Sequence, residues 1–138
     1  MAIKQISVFL ENSSGRLAEV TGVLSKAGIN LRAISIADTA DFGILRLIVD
    51  KEEAAQTVLT QAGFTTRTSS VVAVEIEDRP GSLATVMELF RASKVNIEYL
   101  YASLQAKADK AVVIFKLKDL DQGLRIIRAN GLPVVESF

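Results

Sequence analysis

The 138-residue sequence contains no cysteine, no histidine and no tryptophan. Without thiols or imidazoles there is no Ser-His-Asp triad, no thiol nucleophile, no zinc finger and no iron–sulfur centre. Disulfides are excluded, and nothing points to an oxidising compartment. Catalysis would be left to carboxylates, lysines, tyrosines or bound Mg²⁺. Net charge is also missing: 16 Lys and Arg balance 16 Asp and Glu, seven of each sign up to residue 69 and nine of each after it. A chain without a net field has little attraction for phosphate backbones or anionic lipid. No apolar run approaches the roughly 18 residues of a membrane span. The start, Met1-Ala2-Ile3-Lys4-Gln5-Ile6, lacks the long apolar run of a signal peptide. These absences lead to the expectation of a cytoplasmic protein that holds no metal or cofactor and contacts neither nucleic acid nor membrane. What is present, 49% hydrophobic and 23% charged residues, is the composition of a folded soluble protein.

A repeat organises the chain. Displaced by 66 residues, Ile6, Val8 and Leu10 fall on Val72, Val74 and Ile76, and Glu11 falls on Glu77. Gly15 meets Gly81, Leu17-Ala18 meets Leu83-Ala84, Val20 meets Val86, and Asn30-Leu31 meets Asn96-Ile97. Seven of the 32 pairs from 6/72 to 37/103 are identical, and nine of the others keep apolar against apolar. After a two-residue insertion Leu45, Leu47 and Val49 fall on Val113, Phe115 and Leu117, and Gly63 falls on Gly131. Matching glycines and asparagines, as well as apolar spacing, mark two copies of one unit. The domains are expected at 1–69 and 70–138.

Each copy reads strand, helix, strand, strand, helix, strand. Ile6, Val8 and Leu10 alternate with polar neighbours, the period of a half-buried strand. Leu17, Val20, Val23, Leu24 and Ala27 recur at helical spacing, and Gly28 supplies a left-handed stop. Two strands follow over Leu31–Ala37 and Ile44–Val49, with Asp41-Phe42-Gly43 read as a turn. Asp50-Lys51-Glu52-Glu53 reads as a capping box. Ala55, Val58, Leu59 and Ala62 form the apolar face of a second helix, which Gly63 ends, and Phe64–Ser69 closes the unit as a strand. The second copy predicts strands near 71–77, 97–104, 111–117 and 132–137, and helices near 81–93 and 120–130, the last started by Asp119 and Asp121. Lys94 replaces Gly28, so that helix end is expected to differ. A βαββαβ unit folds as a four-stranded antiparallel sheet with both helices on one face, an α+β arrangement. The opposite face would carry Phe9, Ile44 and Ile48 in the first copy. In the second it would carry Tyr99, Tyr101, Val112 and Ile114. Such faces should be covered by each other or by a second chain, which predicts a homodimer.

The chemistry concentrates in the turn between the first strand and first helix. It reads Asn12-Ser13-Ser14-Gly15-Arg16-Leu17-Ala18 in one copy and Asp78-Arg79-Pro80-Gly81-Ser82-Leu83-Ala84 in the other. A helix start has unpaired N–H groups and a partial positive charge. Glycine at its mouth lets an anion approach the backbone. Charge-assisted bonds of this kind contribute roughly 1.5–3 kcal/mol each. Asn12 or Asp78 can accept from an ammonium, and Asn30 and Asn96 carry both donor and acceptor. Two or three such bonds, less the cost of association, support a dissociation constant on the order of micromolar to millimolar. The plainer reading is that Asn12 and Asp78 cap helices and that Asn30 and Asn96 satisfy turns. Arg16 and Arg79 are read mainly as solvated charges.

The Asp78-Arg79-Pro80-Gly81-Ser82-Leu83-Ala84 segment resembles the signature of ACT domains, ferredoxin-like βαββαβ modules that bind amino acids and regulate metabolic enzymes. The Asn12-x-x-Gly15-x-Leu17 version is similar to that of the acetolactate synthase regulatory subunit. The resemblance covers nearly the whole chain as two tandem copies. It implies a non-catalytic regulatory protein binding a small free amino acid at an interface between ACT units, where one unit's glycine loop faces the second strand or helix of a neighbour. Carried over, the ligand-binding residues are Asn12, Ser13, Ser14, Gly15, Arg16 and Leu17 with Asn30 and Leu31. Asp78, Gly81, Ser82 and Leu83 with Asn96 and Ile97 form the second set. The first loop is favoured because Asn12, unlike Asp78, does not repel a carboxylate.

Competing readings on the same topology are an RNA-binding module and an acylphosphatase-like hydrolase. The first lacks aromatics on the open face of the third strands, which offer Ile44, Arg46 and Ile48 in one copy and Val112, Ile114 and Lys116 in the other, and it lacks a basic surface. The second could use Arg16, but the rest of the loop pattern fits it less well. Within the leading class, the chain could instead be the regulatory subunit of one biosynthetic enzyme. On the leading reading Gly15→Asp abolishes stabilisation by amino acids. An unchanged ligand-induced rise in melting temperature in that variant would refute the loop assignment.

Overall fold

Strand β1 runs through the first alternating segment, Ile3–Glu11, and is followed by α1 (Arg16–Lys26), β2 (Leu31–Asp38), β3 (Phe42–Val49) and α2 (Glu52–Gln61). Then come β4 (Thr65–Glu77), α3 (Ser82–Ala92), β5 (Ile97–Ala102), β6 (Lys110–Leu117), α4 (Leu120–Ala129) and β7 (Val134–Val135). The structure is a computed structural model and describes residues 2–11, 13–38, 41–104 and 107–137. The contacts divide it into two units, Lys4–Ser69 on the one hand and Ser70 onward together with the residues up to Ile3 on the other, with one boundary inside β4. Where the sequence predicts separate strands at 64–69 and 71–77, there is one 13-residue strand. The segment Thr65-Thr66-Arg67-Thr68-Ser69-Ser70-Val71-Val72 is rich in β-branched residues and holds no glycine or proline to break it.

In the first unit the strand order is β2-β3-β1-β4, and in the second it is β5-β6-β4-β7. The pairs β1–β3, β2–β3, β4–β6, β5–β6 and β4–β7 are antiparallel. The topology of one unit is therefore repeated in the other, and each is an α+β, ferredoxin-like βαββαβ unit. In the first, Ile6, Val8 and Leu10 of β1 join Leu45 and Leu47 of β3, Val20 and Leu24 of α1, and Ala55 and Leu59 of α2 in one buried cluster. In the second, Val72 and Val74 of β4 pack with Phe115 and Leu117 of β6, Val86 and Phe90 of α3 and Ile127 of α4. Phe90 meets Phe115 edge-on at 5.4 Å between centroids. Alternate strand residues thus meet both helices on one face of each sheet.

Local structure departs from the sequence reading at three points. Asp41-Phe42-Gly43 is not wholly a turn: Phe42 and Gly43 belong to β3, opposite Glu11 and Leu10 of β1. Pairing with β1 and β2 extends the strand through the glycine. The capping box at Asp50 does not form. Lys51 is the N-cap of α2 and makes no side-chain cap bond. Asp50 Oδ1 instead accepts from the Asn30 N–H at 3.0 Å, while the Asp50 N–H donates to the Asn30 carbonyl at 3.1 Å. Asp119, by contrast, caps α4 by accepting from the Gln122 N–H at 3.0 Å.

The end of α3 does not differ from that of α1, although Lys94 replaces Gly28. Lys94 adopts φ 57° and Gly28 φ 68°. The Gly28 N–H donates to Ser25 O and the Ile29 N–H to Leu24 O; Lys94 and Val95 donate likewise to Arg91 O and Phe90 O. Burial of Ile29 and Val95 anchors both turns. The lysine holds a conformation that costs a residue with a Cβ about 1–2 kcal/mol. Lys94→Gly is expected to raise unfolding free energy by about 1 kcal/mol, read as a higher urea midpoint at unchanged slope. A lower midpoint would show that the lysine side chain outweighs the strain.

Candidate functional site

The strand-to-helix turns of the two units share one backbone. The Ser13 N–H donates to Glu11 O at 2.8 Å, and Arg79 N–H to Glu77 O at 3.0 Å. Gly15 (φ 87°, ψ −10°) and Gly81 (φ 91°, ψ −15°) are the N-caps of α1 and α3, both left-handed. The first helical bonds are Glu19 N–H to Gly15 O and Thr85 N–H to Gly81 O, each 3.0 Å. Among the described residues, the N–H groups of Arg16, Leu17 and Ala18 have no partner, nor do those of Gly81, Leu83 and Ala84. A Cβ at either glycine would meet nothing within 4 Å. Glycine is therefore needed for the left-handed turn and not for internal packing, and it leaves the space before the amides open. The Ser82 amide is used, donating to Arg79 O at 3.3 Å. Asn12 lies outside the described residues.

Side chains make the two loops different. At the first, a cavity of about 300 Å³ is lined by Leu10, Glu11, Ser13, Arg16, Leu17, Ile36 and Gly43. Leu17 and Ile36 are exposed at its rim. Gly43 lies opposite Leu10, and a Cβ there would come 3.5 Å from Ile36 Cδ1. Arg16 is not the solvated charge expected. Its Nη1 lies 2.7 Å from Glu19 Oε2, its guanidinium carbon is 4.8 Å from the Phe64 ring centroid, and its buried Nε has no hydrogen-bond partner among the described residues. Stacking on Phe64 holds the cation beside the cavity. Of the wall, sequence reasoning identified Ser13, Arg16 and Leu17. It missed Leu10, Glu11, Ile36 and Gly43, although a glycine within an apolar strand is a usable signal of close approach.

At the second loop, the cavity of about 470 Å³ is lined by Glu77, Asp78, Arg79, Ala108, Asp109 and Lys110. Arg79 Nε pairs with Glu77 Oε2 at 2.8 Å and Lys110 Nζ lies 3.8 Å from Glu77 Oε1. The Asp78 carboxylate has no partner among the described residues, and its N–H donates to Asp109 O at 2.9 Å. This wall already balances its cations and presents a free carboxylate.

The asparagines lie elsewhere. Leu10 pairs with Gly43 near one end of β3, whereas Leu31 pairs with Val49 at the other. Six residues of strand put about 20 Å between the glycine loop and the start of β2. The start of β5, with Asn96 and Ile97, faces the far end of β6 in the same way, Ile97 opposite Leu117. Within one unit the two halves of each predicted set are therefore not brought together. Leu31 and Ile97 pack against their cores. The side chains of Asn30 and Asn96 are exposed and make no hydrogen bond among the described residues. Tyr99 and Tyr101 stack on β5 with centroids 6.4 Å apart. No group of three or more potential metal ligands occurs among the described residues. No helix among them is long and apolar enough to cross a membrane.

Comparison with known proteins places these features. The family described as an ACT domain pair matches residues 1–137. Protein BT0572 of Bacteroides thetaiotaomicron is 39% identical, with 98% of this chain and 92% of that one covered and a TM-score of 0.92. The ligand-free regulatory subunit of aspartate kinase from Thermus thermophilus shares the fold at 19% identity and TM-score 0.65, covering 93% and 92% of the two chains. An acetolactate synthase small subunit of Buchnera aphidicola (Baizongia pistaciae) is 39% identical over 44 residues. That match spans 32% of this chain and 28% of the relative.

The cavity wall makes one prediction independent of ligand. Gly43→Ala is expected to change stability by less than about 1 kcal/mol, since its Cβ meets only ordinary contacts. Urea unfolding checks this; a loss above about 2 kcal/mol would show that the strand itself requires glycine.

Proposed function

The chain belongs to the ACT domain pair family, and from that premise we propose that it is a non-catalytic regulatory protein that binds a small free amino acid. The ligand lies where the glycine loop of one ACT unit meets the strand start of another. The observation that carries this reading is the pair of left-handed glycine N-caps, with amides unpartnered among the described residues and, at each glycine, nothing within 4 Å of where a Cβ would stand. An amino-acid carboxylate suits such amides, because its charge complements the helix N-terminus. The first loop is the better carboxylate acceptor, since Arg16 stands beside it and the second loop presents Asp78. The distance between loop and strand start within a unit supports a site shared between units.

The protein acts by changing its assembly, or its contact with a metabolic enzyme, when ligand favours one arrangement over another. It works as a homodimer in the cytoplasm. The partial likeness to an acetolactate synthase small subunit supports a second form of this reading, in which the chain serves one biosynthetic enzyme.

A thermal-shift screen of the twenty amino acids tests the reading. At least one is expected to raise the melting temperature at millimolar concentration or below. In Gly15→Asn, which tolerates the left-handed turn but places a side chain before the amides, that rise is expected to shrink. No shift with any of the twenty would refute amino-acid binding.

A further inference from the structure

The cavity beside the first glycine loop has an apolar part, formed by Leu10, Leu17, Ile36 and Gly43. Strand register gives the equivalent positions in the second unit. Leu10 lies opposite Gly43, as Ile76 lies opposite Ala111. Ile36 lies opposite Leu45, as Ala102 lies opposite Val113. The first unit therefore has a glycine and an isoleucine where the second has two alanines. The glycine withholds a side chain from the floor beside Leu10, and the isoleucine raises a wall at the rim. A Cβ at Gly43 would stand 3.5 Å from Ile36 Cδ1 and 3.7 Å from its Cγ1, taking up the room between floor and wall. The cavity beside the second loop includes none of Ile76, Leu83, Ala102 and Ala111. The apolar part thus does not come with the fold; two substitutions make it.

We infer that this cavity receives the side chain of a branched aliphatic amino acid, and that Gly43 and Ile36 determine the selection. The inference rests on the amino-acid-binding reading above and adds which side chain the first loop accepts. The ligand's carboxylate stays on the loop amides, and only its side chain enters the cavity. Charge around the cavity comes from Glu11 and Arg16, which complement an ammonium and a carboxylate. Glu11 has no ion-pair partner among the described residues, and the buried Arg16 Nε has no acceptor among them. Leu10, Leu17, Ile36 and Gly43 offer no side-chain donor or acceptor. A polar or charged side chain placed among them would give up water without a partner. A branched aliphatic chain has no such loss, and it covers the exposed Leu17 and Ile36. At about 300 Å³ the cavity lies at the small end of ligand sites, which suits a compact side chain better than an aromatic ring.

The test titrates the full chain with each of the twenty amino acids and reads affinity from the rise in melting temperature. Valine, leucine or isoleucine is expected to bind most tightly, about 10–100-fold more tightly than glycine, which has no side chain to bury. Ile36→Ser removes the apolar wall at an exposed position on an edge strand, so the fold is kept. It should cut the ratio of aliphatic to glycine affinity several-fold. Gly43→Ala, expected above to leave stability nearly unchanged, should cut the same ratio by filling the room between floor and wall. If the tightest ligand is any amino acid other than these three, or if the ratio survives in either variant, the pocket is wrong and amino-acid binding stands. If none of the twenty stabilises the protein, both fall.

Discussion

A left-handed residue at the junction of strand and helix is the constraint on which both units depend. Gly15 and Gly81, at φ 87° and 91°, reverse the chain sharply enough for α1 and α3 to return across their sheets. Most residues other than glycine and asparagine would oppose that turn by about 1–2 kcal/mol. The same conformation ends one hydrogen-bonding pattern before the next begins, so amides at the helix start remain unpaired among the described residues. Fold and candidate site thus share one cause: the geometry that seats the helix on the core also exposes its donors.

Around this common backbone the side chains diverge. The first loop borders an apolar wall with Arg16 held against Phe64. The second borders a wall whose cations already lean on Glu77. The strand starts diverge in the opposite sense: Asp50 satisfies the Asn30 amide, while lysines flank the Asn96 amide. Duplication preserved the scaffold, where a change of backbone would disturb a packed core. It left exposed positions free to reverse their charge, since surface charges contribute little to stability.

The βαββαβ order, both glycine turns and most of the core were legible in the chain, because alternation, helical spacing and matching glycines all gave the same answer. What escaped was decided by tertiary contact. Phe42-Gly43 resembles a turn until β1 pairs with it. Asp50 has the spacing of a capping residue, but the Asn30 amide, 20 residues earlier, competes for its carboxylate. Lys94 follows the turn of Gly28 because Val95 must reach the core. For the candidate site, the loop residues were legible from the helix-start chemistry. Leu10, Ile36 and Gly43 became part of its wall only through strand register, which a local motif does not specify. The separation of the asparagines from the loops likewise follows from strand length and direction.

The central claim is that amides opened by a glycine turn receive an anionic group of a small metabolite. The most direct measurement follows the amide resonances of Arg16, Leu17 and Ala18 while each of the twenty amino acids is added to the intact protein. The account predicts that a stabilising amino acid moves these three resonances together and saturably. Stabilisation by an amino acid with all three unmoved would contradict it.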